Sequence, residues 1–144
     1  MSKKSVALAL VAFALGCVAA FYFHQDSEYR RVHGHVVEVG LDNWKQEVDD
    51  NQSSVPVLLY FSRNGVHVDQ RADLDKFAWA NAGKVKVVAV DCDHIENLIF
   101  ALKYGVTRFP GYVILYRDQV TSGPDGTAAS DAELTRLIEK ALGK

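Results

Sequence analysis

Chemistry in this chain must come from few groups. It has two cysteines, Cys17 and Cys92. Cys17 lies inside a long apolar run, which leaves Cys92 alone in the rest, so no disulfide forms within that part. Cys92 is either free or paired with another chain, and a free cysteine is often only a small, half-buried hydrophobe. Imidazoles offer a second chemistry. His33-Gly34-His35, with His24 nearby, invites a metal reading, but no carboxylate or thiolate stands at a set spacing. His67-x-Asp69 is half a metal site, and His67 could titrate near neutral pH. The plainer reading of this stretch is a solvated loop. The sequence contains no Gly-rich phosphate loop, nucleophile elbow or paired-carboxylate motif. No metal and no cofactor is therefore assigned.

The elements that would position these groups alternate from residue 36 onward. Residues 36–39 form a short strand. Asp42 caps a helix to residue 50, with Leu41 and Trp44 supplying apolar surface. Residues 55–61 (VPVLLYF) are a near-continuous apolar run, as in a strand buried on both faces. A loop over 62–68 leads to a helix over 68–82, with Leu74, Phe77 and Ala78 inward and a stop at Gly83. Residues 85–90 (VKVVAV) are a second buried strand. Asp93-x-x-Glu96 has the form of a capping box, and Ile95, Leu98, Ile99 and Leu102 then fall on one helical face. Gly105 ends that helix. Residues 112–116 form a strand that 119–122 are expected to join as a hairpin. Ser130-x-x-Glu133 is a capping box opening an amphipathic helix through Leu134, Leu137, Ile138, Ala141 and Leu142. Helical crossovers between strands imply a parallel core with helices on both faces, and the closing hairpin makes the sheet mixed. This order fits several α/β folds.

The 144 residues suit one domain. Lys3 and Lys4 are the only charged residues before position 24, which leaves 14 basic against 18 acidic residues in the rest. Nucleic acid and anionic membrane surfaces need a basic patch, so neither is the expected main partner.

Residues 5–23 carry no charge. A helix of that length nearly crosses a hydrocarbon core of about 30 Å. The preferred reading is a retained signal anchor, because the run continues through Phe21-Tyr22-Phe23 and aromatics suit the membrane interface. A signal peptide cut after Val18-Ala19-Ala20 competes with it, and a lipoprotein site at Gly16-Cys17 is a weaker third. Lys3 and Lys4 would keep the N-terminus in the cytoplasm and place the domain across the membrane. Residues 24–35 are polar and aperiodic and read as a tether. The expected division is thus 1–23 anchor or signal peptide, 24–35 tether and 36–144 domain.

Two segments resemble the thioredoxin family. Pro56-Val57-Leu58-Leu59-Tyr60-Phe61-Ser62-Arg63-Asn64-Gly65-Val66-His67-Val68-Asp69-Gln70 is similar to the apolar strand and loop that carry Trp-Cys-Gly-Pro-Cys-Lys in that family. Lys103-Tyr104-Gly105-Val106-Thr107-Arg108-Phe109-Pro110-Gly111-Tyr112-Val113-Ile114-Leu115-Tyr116 is similar to the segment that carries the family's cis-proline before the fourth strand. The element order extends the resemblance over residues 36–143. It implies an α/β thioredoxin-like fold, a mixed central sheet flanked by helices, with an N-terminal hydrophobic helix added.

The departures from the family pattern bear on activity. Gly65 falls where the Trp stands, Val66 and Asp69 at the two cysteines, His67 and Val68 at Gly-Pro, and Tyr60 at a buried Asp that assists proton transfer. Disulfide exchange needs one thiolate to attack sulfur and a second to resolve the product. The resemblance therefore implies a scaffold without its reaction. It also implies that the 63–67 loop sits at a helix N-terminus beside Pro110, where free N–H groups favour anions. Thr107, Arg108, Phe109 and Pro110 would form a lip for an extended peptide, or the bend would simply start the next strand. The expectation is a redox-inactive, membrane-tethered module facing the periplasm or an equivalent exported compartment. It would bind a protein or peptide through Gly65, Val66, His67, Thr107, Arg108, Phe109 and Pro110, in folding or assembly of exported proteins. One alternative is single-cysteine thiol chemistry through Cys92. Another is a purely structural docking domain that uses a different face.

Overall fold

The computed structural model describes residues 2–64 and 68–144, and of 68 and 69 the backbone alone. Helix α1 spans Lys3–His33, strand β1 Val37–Glu38, β2 Val57–Ser62, helix α2 Val68–Ala80, β3 Lys86–Asp91, α3 Leu98–Lys103, β4 Gly111–Tyr116, β5 Gln119–Asp125 and α4 Asp131–Ala141. A π-helical turn, Lys45–Asp49, and a 3-10 turn, Ile95–Asn97, complete the order. The sheet runs β1-β3-β2-β4-β5. β1, β3 and β2 are parallel, while β4 and β5 are antiparallel additions. This is the expected mixed sheet.

The central strands are apolar throughout because both faces are covered. On one face, Leu58, Tyr60, Val87, Ala89, Tyr112 and Ile114 pack with Leu74 and Phe77 of α2 and Leu134 and Ile138 of α4. On the other, Leu59, Phe61, Val88, Val90, Val113 and Leu115 pack with Trp44, Val48 and Ala101. Successive residues of each strand alternate between the two clusters, as the two-residue period requires. Burying one such side chain is worth roughly 1.5–3 kcal/mol. Ser130 and Glu133 form the expected capping box. The hairpin is longer than its first four residues, running to Asp125 with an irregularity between Gly111 and Val113.

Several local expectations are corrected. Asp42 does not cap the following turn. Asn43 does the local bonding instead, accepting from the Gly40 amide at 2.9 Å and donating to the Glu38 carbonyl at 3.0 Å. Leu41 is exposed, whereas Trp44 is buried. Asp93 and Glu96 form no capping box, because the Asp93 carboxylate accepts from the Asn64 amide at 2.7 Å and His94 opens the 3-10 turn without a side-chain cap. That turn advances with three residues per turn and shifts the helical phase of α3. Ile95, Ile99 and Leu102 consequently point outward, at 77%, 61% and 70% exposure, and Asn97 and Ala101 point inward. Leu142 is also exposed.

Residues 24–33, expected as an aperiodic tether, are helical and continue α1. The polar end of α1 packs on α2. Arg30 Nη1 donates to the Trp79 carbonyl at 2.8 Å. Gly34 lies so close that a Cβ there would stand 3.1 Å from Trp79 Cα. None of the residues of α1 is buried, and α1 is long and apolar enough to cross a membrane.

Candidate functional site

At the carboxyl end of β2 the chain turns through Asn64, whose φ of 65° is left-handed. Its amide is held by Asp93, one residue beyond Cys92. The next residues, Gly65, Val66 and His67, lie outside the described residues, as does the Asp69 side chain. The next helix, α2, begins at Val68.

Beside this end of β2 lies the second candidate segment. Phe61 pairs with Gly111 across the sheet, which puts Pro110 one residue from the pair. The Phe109–Pro110 peptide bond is cis. Pro110 is fully buried, Phe109 partly buried against the second cluster, and Thr107 and Arg108 exposed. Val106 anchors the preceding turn, its amide donating to the Ala101 carbonyl at 2.8 Å. Glycine at 111 leaves room for Val106, since a Cβ there would crowd the Val106 Cγ1 methyl.

One residue without a signal in the sequence holds this segment. Asp125, at the end of β5, accepts from the Arg108 amide at 2.9 Å and from Thr107 Oγ1 at 3.4 Å. The Gly126 amide then donates to the Pro110 carbonyl at 2.9 Å. The Thr107–Pro110 lip is thus fixed from the sheet edge, and among the described residues no main-chain hydrogen bond uses Phe109. Asp125-Gly126 reads in sequence as an ordinary turn pair; only the hairpin brings it against Arg108.

Tyr60 stands in β2 opposite Tyr112, with ring centroids 5.4 Å apart. Its hydroxyl donates to Gln70 Oε1 at 3.2 Å, and burial pushes the phenol up to about 12. It is a poor proton carrier near neutrality. Cys92 is 1% exposed, and its Sγ donates a weak bond to the Asn97 carbonyl at 3.9 Å. Burial, with Asp91 adding to it, pushes the thiol up to about 11. Since the thiolate is the nucleophile, this cysteine is neither charged nor accessible near pH 7. Among the described residues no three His, Cys, Asp or Glu side chains gather as a metal site. His33 instead stacks on Tyr29.

The fold has solved relatives. A structure described as that of a malarial protein shares 24% identity, covers 61% of this chain and 98% of its own, and superposes with a TM-score of 0.53. Thioredoxin from Trypanosoma brucei brucei shares 16% identity, covers 78% of this chain and 95% of its own, and gives a TM-score of 0.60. The fold is thioredoxin-like. No protein-family model matches the chain, and no curated protein matches it.

Proposed function

We propose that this chain is a thioredoxin-like binding module that has given up disulfide exchange. It holds an extended segment of a protein across Thr107–Pro110, with Gly65–His67 completing the surface. Residues 5–23 anchor it in a membrane, with the domain on the exported side, where it serves folding or assembly of exported proteins. The observation that carries the reading is the lip itself. Asp125 and Gly126 hold both its ends, and Phe109, beside an exposed rim, makes no main-chain hydrogen bond to a described residue. Strand-like pairing to such a segment gives affinity through the main chain. The absent cysteine pair and the buried Cys92 argue against catalysis.

The test uses the full chain in detergent. Insulin reduction with dithiothreitol should not exceed background, and Cys92→Ser should change nothing. Phe109→Asp should abolish capture of the bound protein. A reduction rate that vanishes in Cys92→Ser would reverse the reading in favour of single-cysteine chemistry. Full capture by Phe109→Asp would move binding to another face.

A further inference from the structure

Beyond the carboxyl ends of β1 and β3 lies a groove of about 720 Å³ that the proposed function does not use. In α/β sheets this is the end at which ligands bind. Glu38, Asp42, Asp91 and Glu96 line it, together with Gly40, Leu41, His94 and Asn97. Glu38 is paired with Arg71. Asp91 accepts from the Asp93 amide at 2.9 Å, and His94 lies 3.9 Å from both Asp91 and Glu96. Asp42 is exposed and has no ion pair among the described residues.

The floor supplies an independent observation. Asn97 is 5% exposed. Its Nδ2 donates to the Asp91 carbonyl at 2.9 Å. A carbonyl only accepts, so this bond fixes the amide's orientation and leaves Oδ1 as the free end. That Oδ1 is buried and has no hydrogen-bond partner among the described residues. A buried acceptor left unpaired costs roughly 1–3 kcal/mol. Directly over Gly40, the point where a Cβ would stand is 3.4 Å from Asn97 Oδ1 and 3.5 Å from Asp42 Oδ1. Both acceptors therefore border the same face of Gly40.

From this arrangement we infer that the groove binds a guanidinium: the arginine side chain of a partner segment. The buried, unpaired side-chain oxygen of Asn97 is an acceptor, and Asp42, without an ion pair among the described residues, adds negative charge beside it. A guanidinium brings several N–H donors in a planar fork, so it can serve a carboxylate and an amide oxygen together. The rim suits the rest of such a segment. Leu41 and Ile95 are exposed beside the groove, and Ile99 continues the stripe one turn along from Ile95. Apolar residues flanking the arginine would cover them. The partner is therefore a protein segment that carries arginine between apolar side chains.

The test uses nuclear magnetic resonance on the full, isotopically labelled chain in detergent micelles. The probe is the peptide acetyl-Leu-Arg-Leu-amide. Saturable shifts are expected at the Gly40 amide and the Asn97 side-chain amide. The same peptide with citrulline for arginine should bind at least about tenfold more weakly, because it lacks the charge. Asp42→Asn should weaken binding about threefold, as an exposed partner does. Gly40→Ala should weaken it about tenfold, because the added methyl group crowds the face that Asn97 Oδ1 and Asp42 border. Phe109→Asp should leave it unchanged, which separates this groove from the lip. Absence of saturable shifts, equal binding of the citrulline peptide, or undiminished binding by Gly40→Ala would each overturn the assignment.

Discussion

The carboxylate of Asp125 holds the main chain of Arg108: its Oδ1 accepts the Arg108 amide at 2.9 Å across 17 residues of chain. The same carboxylate reaches Thr107 Oγ1. An exposed rim two residues from a buried proline is thereby tied to the outermost strand of the sheet. If this rim binds a guest as proposed, the contact orders it beforehand, and preorganisation lowers the entropy cost of binding.

Asp125→Ala should therefore loosen the lip more than it harms the domain. Asp125 is exposed, so its loss should cost about 1 kcal/mol in a denaturant titration. Amide exchange at Arg108 should accelerate, and capture of a bound protein should fall. Asp125→Asn keeps an acceptor oxygen and should restore part of both. Unchanged exchange at Arg108 would show that the carboxylate does not hold the segment.

Most of the fold was legible because its signals are local. The β2 and β3 runs announce strands buried on both faces, and Ser130 with Glu133 announces α4. The errors share a cause. Ile95, Leu98, Ile99 and Leu102 have perfect helical spacing, yet a 3-10 turn precedes α3, and Ile95, Ile99 and Leu102 face solvent while Leu98 alone packs on the core. Asp93 has the right spacing from Glu96 for a cap, but the Asn64 amide, 29 residues away in sequence, claims it. Residues 24–33 have no apolar period because the helix they extend packs only at its end. Pro110 was readable through a family phrase. Asp125 was not, since its role exists only once β5 folds back along β4.

Gly111→Ala tests the packing beneath the lip. Its new Cβ would meet the Val106 Cγ1 methyl, and both residues are buried. Overpacking of this kind costs roughly 1–3 kcal/mol. The loss should appear as a lower denaturation midpoint with an unchanged slope. Adding Val106→Ala removes the obstructing methyls, so the double variant should lose less than the two single losses combined. Simple additivity would mean that the two side chains do not meet.

Cys92 should behave as a core residue in reactivity and in pH dependence. An alkylating reagent near neutral pH should leave it unmodified until denaturant is added. Burial raises the thiol to about 11 from an ordinary value of 9.0. Between those values the unfolded chain loses its proton and the folded chain keeps it, so stability must fall as pH rises. The full contribution is present below pH 9 and is lost toward pH 11. Tyr60, raised from 10.0 to about 12 by burial, extends the decline. Denaturant titrations from pH 8 to 11 should show this slope, reduced in Cys92→Ala. Rapid alkylation of the folded chain would place the thiol at the surface.

The junction of α1 with the domain is the remaining place where structure bears on function. From Phe23 to His33 the helix runs on past the apolar stretch without a break, a rise of about 15 Å. If residues 5–23 span a membrane, that rise sets how far the lip stands from it. Among the contacts that hold the junction are Arg30 Nη1 on the Trp79 carbonyl, the close approach of Gly34 to Trp79 and Ala82, and the Tyr29 ring against Gly83. Amides of residues 24–33 should exchange slowly in the full chain in detergent. Gly34→Ala puts a Cβ 2.7 Å from the Arg30 carbonyl oxygen and 3.1 Å from Trp79 Cα. It should speed exchange near residues 30–36 and shift Trp79 emission, leaving β2 and β4 protected. Arg30→Ala should act in the same direction, by at most about 1 kcal/mol. A helix that merely drags the domain on a loose leash would exchange quickly before either change, and neither substitution would then alter it.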